Sequence, residues 1–188
     1  MKRKNLILLF IFALVAAAQL AAPGRMIYNS LMAEQSGAEY KFRIAPRDPV
    51  DFLRGRYLRL NIQPETAKTG KDYNPMQSGG SLYAVLEVDE NGYAAVTHVT
   101  ATPPEGQNYV RVLKAGRYWG GEDEVSIDFP FSRYYMNEDK AQAAEVWLDR
   151  YAEGKDVYLV VRVHNGYAAV MGLYVDGKTI EELIGSAY

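Results

Sequence analysis

The sequence predicts a mostly β (α+β) protein, two related antiparallel β units with one helix, preceded by an N-terminal transmembrane helix. Three observations predict it. A basic cluster, Lys2-Arg3-Lys4, leads into an apolar run from Leu6 to Ala22 that is broken only by Gln19. Beyond that run, apolar and polar residues alternate in many short stretches rich in Tyr, of which the chain has 15, as in strands with one buried face. Twice, Asn-Gly separates two such stretches, and this dipeptide is the strongest short-range hairpin signal because both residues tolerate positive φ.

The apolar run of about 17 residues, at about 1.5 Å each, meets the lower limit for crossing a hydrocarbon core, and Met26, Ile27 and Tyr28 extend it. Lys and Arg beside a first apolar segment stay on the cytoplasmic side, so the chain after about residue 30 is expected to be exported. A removable signal is the alternative: Leu6 to Val15 has the length of a signal core, and cleavage after Ala18, in the small residues Ala16-Ala17-Ala18, would leave a chain starting at Gln19. The apolar character persists through Leu20, Ala21 and Ala22, and Tyr28 falls where an interfacial aromatic belt would sit, which favours an uncleaved anchor. Residues 1–30 are therefore assigned to the anchor and 31–188 to one exported domain, long enough to bury a single core.

Composition narrows the chemistry. The chain has no Cys, which excludes disulfides, thiol nucleophiles and Cys-based zinc sites. It carries 21 basic and 23 acidic residues; setting aside Lys2, Arg3 and Lys4 leaves 18 against 23, a formal charge of −5 on the exported part. A nucleic-acid partner is not expected, because the phosphate backbone demands a basic face.

Element by element, Tyr40, Phe42 and Ile44 alternate with Lys41 and Arg43, and Leu58, Leu60 and Ile62 alternate with Arg59 and Asn61. Leu82 to Val88 and Tyr93 to Thr100 flank Asp89-Glu90-Asn91-Gly92, and Val157 to Val163 and Tyr167 to Val175 flank His164-Asn165-Gly166. Tyr109 to Leu113 and Val125 to Phe131 are further strands. One segment reads as a helix, Glu138 to Tyr151, capped near Asn137 and stopped by Gly154. Residues 91–96 and 165–170 share the sequence Asn-Gly-Tyr-Ala-Ala-Val, and Gly-Arg-Tyr recurs at 55–57 and 116–118. An internal duplication, about 39–104 and 105–188, accounts for this; convergence of hairpins that share a turn residue pair is the alternative.

The segment from Pro46 to Asn61 carries a motif. Asp48-Pro49 favours one turn and Arg54-Gly55 a second, with Tyr57 to Ile62 the strand entered from it; Asp48 and Asp51 can accept backbone N–H groups there, with Arg54 pairing one of them. The segment resembles the GDYXXLXY family, membrane-anchored bacterial proteins named for Gly-Asp-Tyr-x-x-Leu-x-Tyr after a Pro-x-Asp-Pro-x-Asp-x-x-Arg lead. Asp48, Pro49, Asp51, Leu53, Arg54, Gly55, Tyr57 and Leu60 match, while Arg56 stands where the motif has Asp. The resemblance implies an inner-membrane, single-pass protein with a periplasmic C-terminal domain, associated with a polytopic membrane protein, and it implies no particular activity. Asp48, Asp51, Arg54, Gly55, Arg56, Tyr57 and Leu60 form the candidate interaction site. Arg56 counts against an acid–base role for the motif, since a guanidinium does not transfer a proton near neutrality.

The other candidates have plainer readings. His98 and His164 are the two histidines, one in a strand and one beside a turn, and neither has a ligand set in sequence. Glu122-Asp123-Glu124 lacks the alternating oxygen spacing of a calcium loop. Tyr134, Tyr135, Trp119 and Trp147 are able to line a sugar-binding face, but such aromatics more often fill a β core. The turn before Tyr57 is similar to one in membrane-anchored signal peptidases, yet between Lys41 and Leu60 there is no Ser, Thr or further Lys to supply their nucleophile and base. No metal or cofactor is expected. Three function classes stay open: an accessory subunit of a polytopic membrane protein, a saccharide- or peptide-binding module, and a hydrolase.

Overall fold

A computed structural model describes residues 3–45, 57–70, 81–114 and 124–185. Two antiparallel sheets and a short ladder share one core. The first sheet has the order β1 (Ala38–Arg43), β9 (Val157–His164), β10 (Tyr167–Val175) and β11 (Lys178–Thr179). In β1, Tyr40 and Phe42 are buried while Glu39, Lys41 and Arg43 are exposed, the expected alternation. The second sheet has the order β3 (Thr66–Lys68), β7 (Glu124–Asp128), β6 (Tyr109–Lys114), β4 (Leu82–Val88) and β5 (Ala94–Thr100). A parallel bridge from Thr69 to Val99, with the Gly70 N–H donating to Val99 O at 2.8 Å, brings its two edges together, so this sheet curls towards a barrel. The ladder pairs β2 (Tyr57–Arg59) with β8 (Arg133–Tyr135).

The core runs between these layers through Phe42, Leu159, Leu173, Val99, Val110 and Val112, all fully buried. Phe42 packs edge-on against Phe129 and Phe131, with ring centroids 5.2 and 5.0 Å away. The expected strand Val125 to Phe131 is shorter than its sequence pattern: pairing ends at Asp128, and the two phenylalanines reach the core from a turn. Similarly, ladder pairing in the strand expected over Leu58 to Ile62 ends at Arg59, and Ile62 bridges Ile44 instead. Strands from both sides of residue 104 share each sheet, β1 joining β9 to β11 and β3 to β5 joining β6 and β7.

Both Asn-Gly hairpins form, with different turns. In β9–β10, His164 pairs with Tyr167 and both Asn165 (φ 48°) and Gly166 (φ 81°) are left-handed, a two-residue I′ turn. In β4–β5 the Asp89 N–H donates to Tyr93 O (2.7 Å), and only Gly92 (φ 84°) of its pair is left-handed. Asp89 Oδ1 accepts the Asn91 and Tyr93 N–H groups at 2.9 and 2.8 Å, which closes the longer loop. The repeated hexapeptide therefore occupies two turn types.

The basic and apolar N-terminal run forms α1 (Arg3–Ser36), a helix of 34 residues, long and apolar enough to cross a membrane and continuing past residue 30. Its last turns lie on β9 and β10, where Ala33 is fully buried. Gly37 follows because the backbone passes too close for a side chain: a Cβ there would lie 2.3 Å from Ala33 O and 2.9 Å from Val163 N. Arg162 Nη1 donates to Glu34 O (2.9 Å) and its Nε to Glu39 Oε2 (3.2 Å), so the sheet supplies the cation that the helix's own last turn lacks.

The expected helix forms as α2 (Glu138–Tyr151); the Asn137 side chain makes no capping bond, and its carbonyl accepts Ala141 N–H at 2.8 Å. A further helix, α3 (Ile180–Gly185), buries Ile180 and Ile184 and corrects the expectation of one helix after residue 30. It begins with a capping box: Thr179 Oγ1 accepts the Glu182 N–H, and Glu182 Oε2 accepts the Thr179 N–H.

Candidate functional site

Of the candidate interaction residues, Asp48, Asp51, Arg54, Gly55 and Arg56 lie outside the described residues, while Tyr57 and Leu60 lie within them. Tyr57 is half-buried on β2 opposite Tyr135, with ring centroids 5.4 Å apart, and the Arg133 guanidinium sits 5.3 Å from the Tyr57 ring. Leu58, on the other face, is buried and stands opposite Tyr134. The Tyr134 hydroxyl donates to Glu181 Oε1 of α3 at 2.6 Å, and burial together with that bond pushes the phenol pKa up.

The end of the motif strand is built into the fold. Leu60 is buried and its N–H donates to Ser132 O (2.8 Å); Asn61 O accepts the Ala45 N–H, and Gln63 N–H donates to Arg43 O, each at 2.9 Å. These bonds tie the β2–β8 ladder to the end of β1, which gives the apolar positions of the motif a packing role. Beside them opens a pocket of about 230 Å³. Its exposed lining is mostly polar, with groups from Asn61, Glu65, Asp128 and Ser132, and Leu60, Ile62, Ile127 and Phe129 lie buried behind it.

Of the aromatics weighed for a sugar-binding face against core packing, Tyr134 and Tyr135 do not share a face. Tyr134 and Tyr135 alternate on β8, one towards the core and one 67% exposed. Trp147 packs on Tyr151 of its own helix, 5.6 Å away, and Trp119 lies outside the described residues, as do Glu122 and Asp123. Sequence reasoning missed a different aromatic set, Tyr93, Tyr158 and Tyr174. Tyr158 and Tyr174 stack at 5.5 Å, and Tyr93 meets Tyr158 edge-on. Arg43 lies 4.1 Å over the Tyr93 ring and 3.9 Å from Asp89 Oδ2, and the Tyr93 hydroxyl donates to Asp156. That bond, with burial, pushes the Tyr93 phenol up to about 12. Since the chain's own charges already occupy these rings, the set reads as a clasp holding the β4–β5 loop against β1 and β9.

His98 Nδ1 contacts Thr97 Oγ1 (3.1 Å), His164 Nε2 contacts Asn165 Nδ2 (3.0 Å), and among the described residues no three His, Cys, Asp or Glu side chains gather to hold a metal. The long apolar helix, the motif strand and the β-rich domain follow one another here in the order that the resemblance implies. A family model described as GDYXXLXY protein matches residues 19–173. The chain belongs to the GDYXXLXY family. No curated protein and no solved structure matches it. The eight positions that give the family its name run here from Gly55 to Ile62, so Ile62 takes the place of the final tyrosine and buries its side chain, as Arg56 takes the place of the acid.

Proposed function

We propose that this GDYXXLXY protein is an accessory protein of the inner membrane, with its β domain in the periplasm and a polytopic membrane protein as its partner. The observation that carries this reading is the docking of α1 onto β9 and β10 through Ala33, Gly37 and Arg162, which gives the domain a fixed bearing on its own anchor. Residues 5–24, between Lys4 and Arg25, are 20 residues without a charge, about 30 Å of helix and the thickness of a hydrocarbon core. Ala33 lies eight residues beyond Arg25, about 12 Å further along the helix, so the domain stands within reach of the loops of a neighbouring membrane protein. Lys2-Arg3-Lys4 favours the cytoplasm for the N-terminus.

The contact is proposed on the motif, Asp48, Asp51, Arg54, Gly55, Arg56, Tyr57 and Leu60. Arg54 and Asp51 serve to lock its turn, and Arg56, where this chain departs from the family pattern, tunes the contact. Two measurements test this. The full chain should stay with membranes through carbonate washing and keep its N-terminus; a soluble form beginning at Gln19 would overturn the anchor. Mild-detergent purification should bring down one polytopic membrane protein, and Arg56→Ala should lose it with melting unchanged, whereas capture unaffected by any motif substitution removes the motif from the contact.

A further inference from the structure

We propose that the pocket at the end of the motif strand receives a single arginine side chain from a partner polypeptide. Its walls come from three stretches of chain: Leu60 to Ile62 and Glu65, Ile127 to Phe129, and Ser132. They are held in place before any ligand arrives, because Leu60 N–H is bonded to Ser132 O at 2.8 Å and Ile127 N–H to Glu65 O at 2.9 Å. A volume of about 230 Å³ is small for a drug-sized ligand and ample for one long side chain.

The lining selects the charge. Among the described residues it holds two carboxylates, Glu65 and Asp128, with the Asn61 amide and Ser132 hydroxyl, and no cationic side chain. Both carboxylates are exposed, and neither makes an ion pair within 4 Å among the described residues; Arg133, 5.3 Å from the Tyr57 ring, feels the Asp128 charge from a distance. Acceptors spread over three walls suit a planar guanidinium, whose five N–H donors fan outward, better than the compact ammonium of lysine. The surface the pocket exposes is mostly polar, as a guanidinium requires, with Leu60, Ile62, Ile127 and Phe129 buried behind it. The partner in this inference is the one in the accessory reading, but the pocket is tested on this protein alone, so either can fail without the other.

The experiment uses the full chain in lipid nanodiscs and three probes, the acetylated and amidated forms of arginine, lysine and citrulline, titrated by calorimetry. Arginine should bind saturably with about millimolar affinity, as one side chain allows, and citrulline and lysine at least about tenfold more weakly. Glu65→Gln with Asp128→Asn should weaken arginine at least about tenfold while leaving the melting temperature within about 2 °C of the parent. Each single substitution, Glu65→Gln and Asp128→Asn, should show part of the loss, which keeps the test decisive if the double variant folds poorly. No saturation with arginine, citrulline binding as well as arginine, lysine binding as well as arginine, or full affinity in both single variants would each overturn the proposal.

Discussion

Gly92 and Gly166 occupy similar left-handed conformations, φ 84° and 81°, yet a side chain would meet different surroundings at each. At Gly92 a Cβ would meet nothing within 4 Å, whereas at Gly166 it would come within 2.8 Å of the Tyr109 ring. That ring is itself held edge-on by Tyr83, 5.5 Å away, so it cannot swing aside freely. Gly92→Ala should therefore cost about 1 kcal/mol from backbone strain alone, and Gly166→Ala about 2–3 kcal/mol. Denaturant melts of the two variants decide it, and equal losses would mean that the Tyr109 contact is not rigid. Gly166→Val would add β-branching to the same clash and should be worse still.

Glu145 is a second residue-scale case. Its Oε1 has no hydrogen-bond partner, and burial, with the Asp149 charge one turn on, raises its carboxyl pKa. A raised folded-state pKa means that the folded protein holds this proton more tightly than the unfolded chain. The stability it contributes is present at low pH and is lost as pH rises through the folded pKa. Glu145→Gln should then raise the melting temperature at pH 7 by about 1 °C, a small effect because the residue is only half-buried, and the gain should vanish below the carboxylate range. A gain unchanged down to about pH 3 would show that the charge is not its cause.

At the scale of elements, the long strands and α2 were legible because their patterns run seven or more residues and are punctuated by Asn-Gly or Gly. β4 (Leu82–Val88), β10 (Tyr167–Val175) and α2 (Glu138–Tyr151) match the sequence boundaries. The three elements missed among the strands, β3, β8 and β11, have two or three residues each, too few for an alternation to register. α3 left a signal that went unread, the capping box Thr179-Ile180-Glu181-Glu182 followed by apolar Leu183 and Ile184. The candidate site was less legible. Leu60 and Tyr57 are marked by the motif, but Glu65, Asp128 and Ser132, which share the pocket with Leu60, come together only through the pairing of β3 with β7 and the turn after it.

The joint between α1 and the sheet is likewise absent from any local pattern, since Arg162 and Glu34 are 128 residues apart. Its side chain is over a third exposed, so its charge pairing with Glu39 contributes little, and its bond to the helix carbonyl contributes more. Arg162→Met keeps the stem and removes both. Hydrogen exchange at residues 33–38 should speed up by about tenfold with global stability lowered by no more than about 1.5 kcal/mol. Unchanged exchange there would mean that Ala33 packing alone holds the joint.

For the whole molecule, the question is where the apolar helix stops and the domain begins. Residue 30 is the boundary that hydropathy suggests, because the apolar run has thinned by then, yet α1 continues to Ser36 and puts Ala33 against β9 and β10. The last two turns of the helix therefore belong to the domain's packing rather than to the apolar run. A fragment beginning at Asn29 keeps Ala33, the Gly37 N–H bond to Ala33 O at 3.0 Å and the Arg162 contact, whereas one beginning at Ala38 loses all three and bares the outer face of both strands. The first should be the more stable by about 1–3 kcal/mol, from one buried small side chain, one charge-assisted hydrogen bond and the apolar sheet surface they cover. Both fragments lack the apolar run of residues 6–22, so thermal and urea melts in buffer compare them directly. A domain starting at Ala38 that melts like the one from Asn29 would place the boundary back before the docked turns and make the helix a tether, free to let the domain swing.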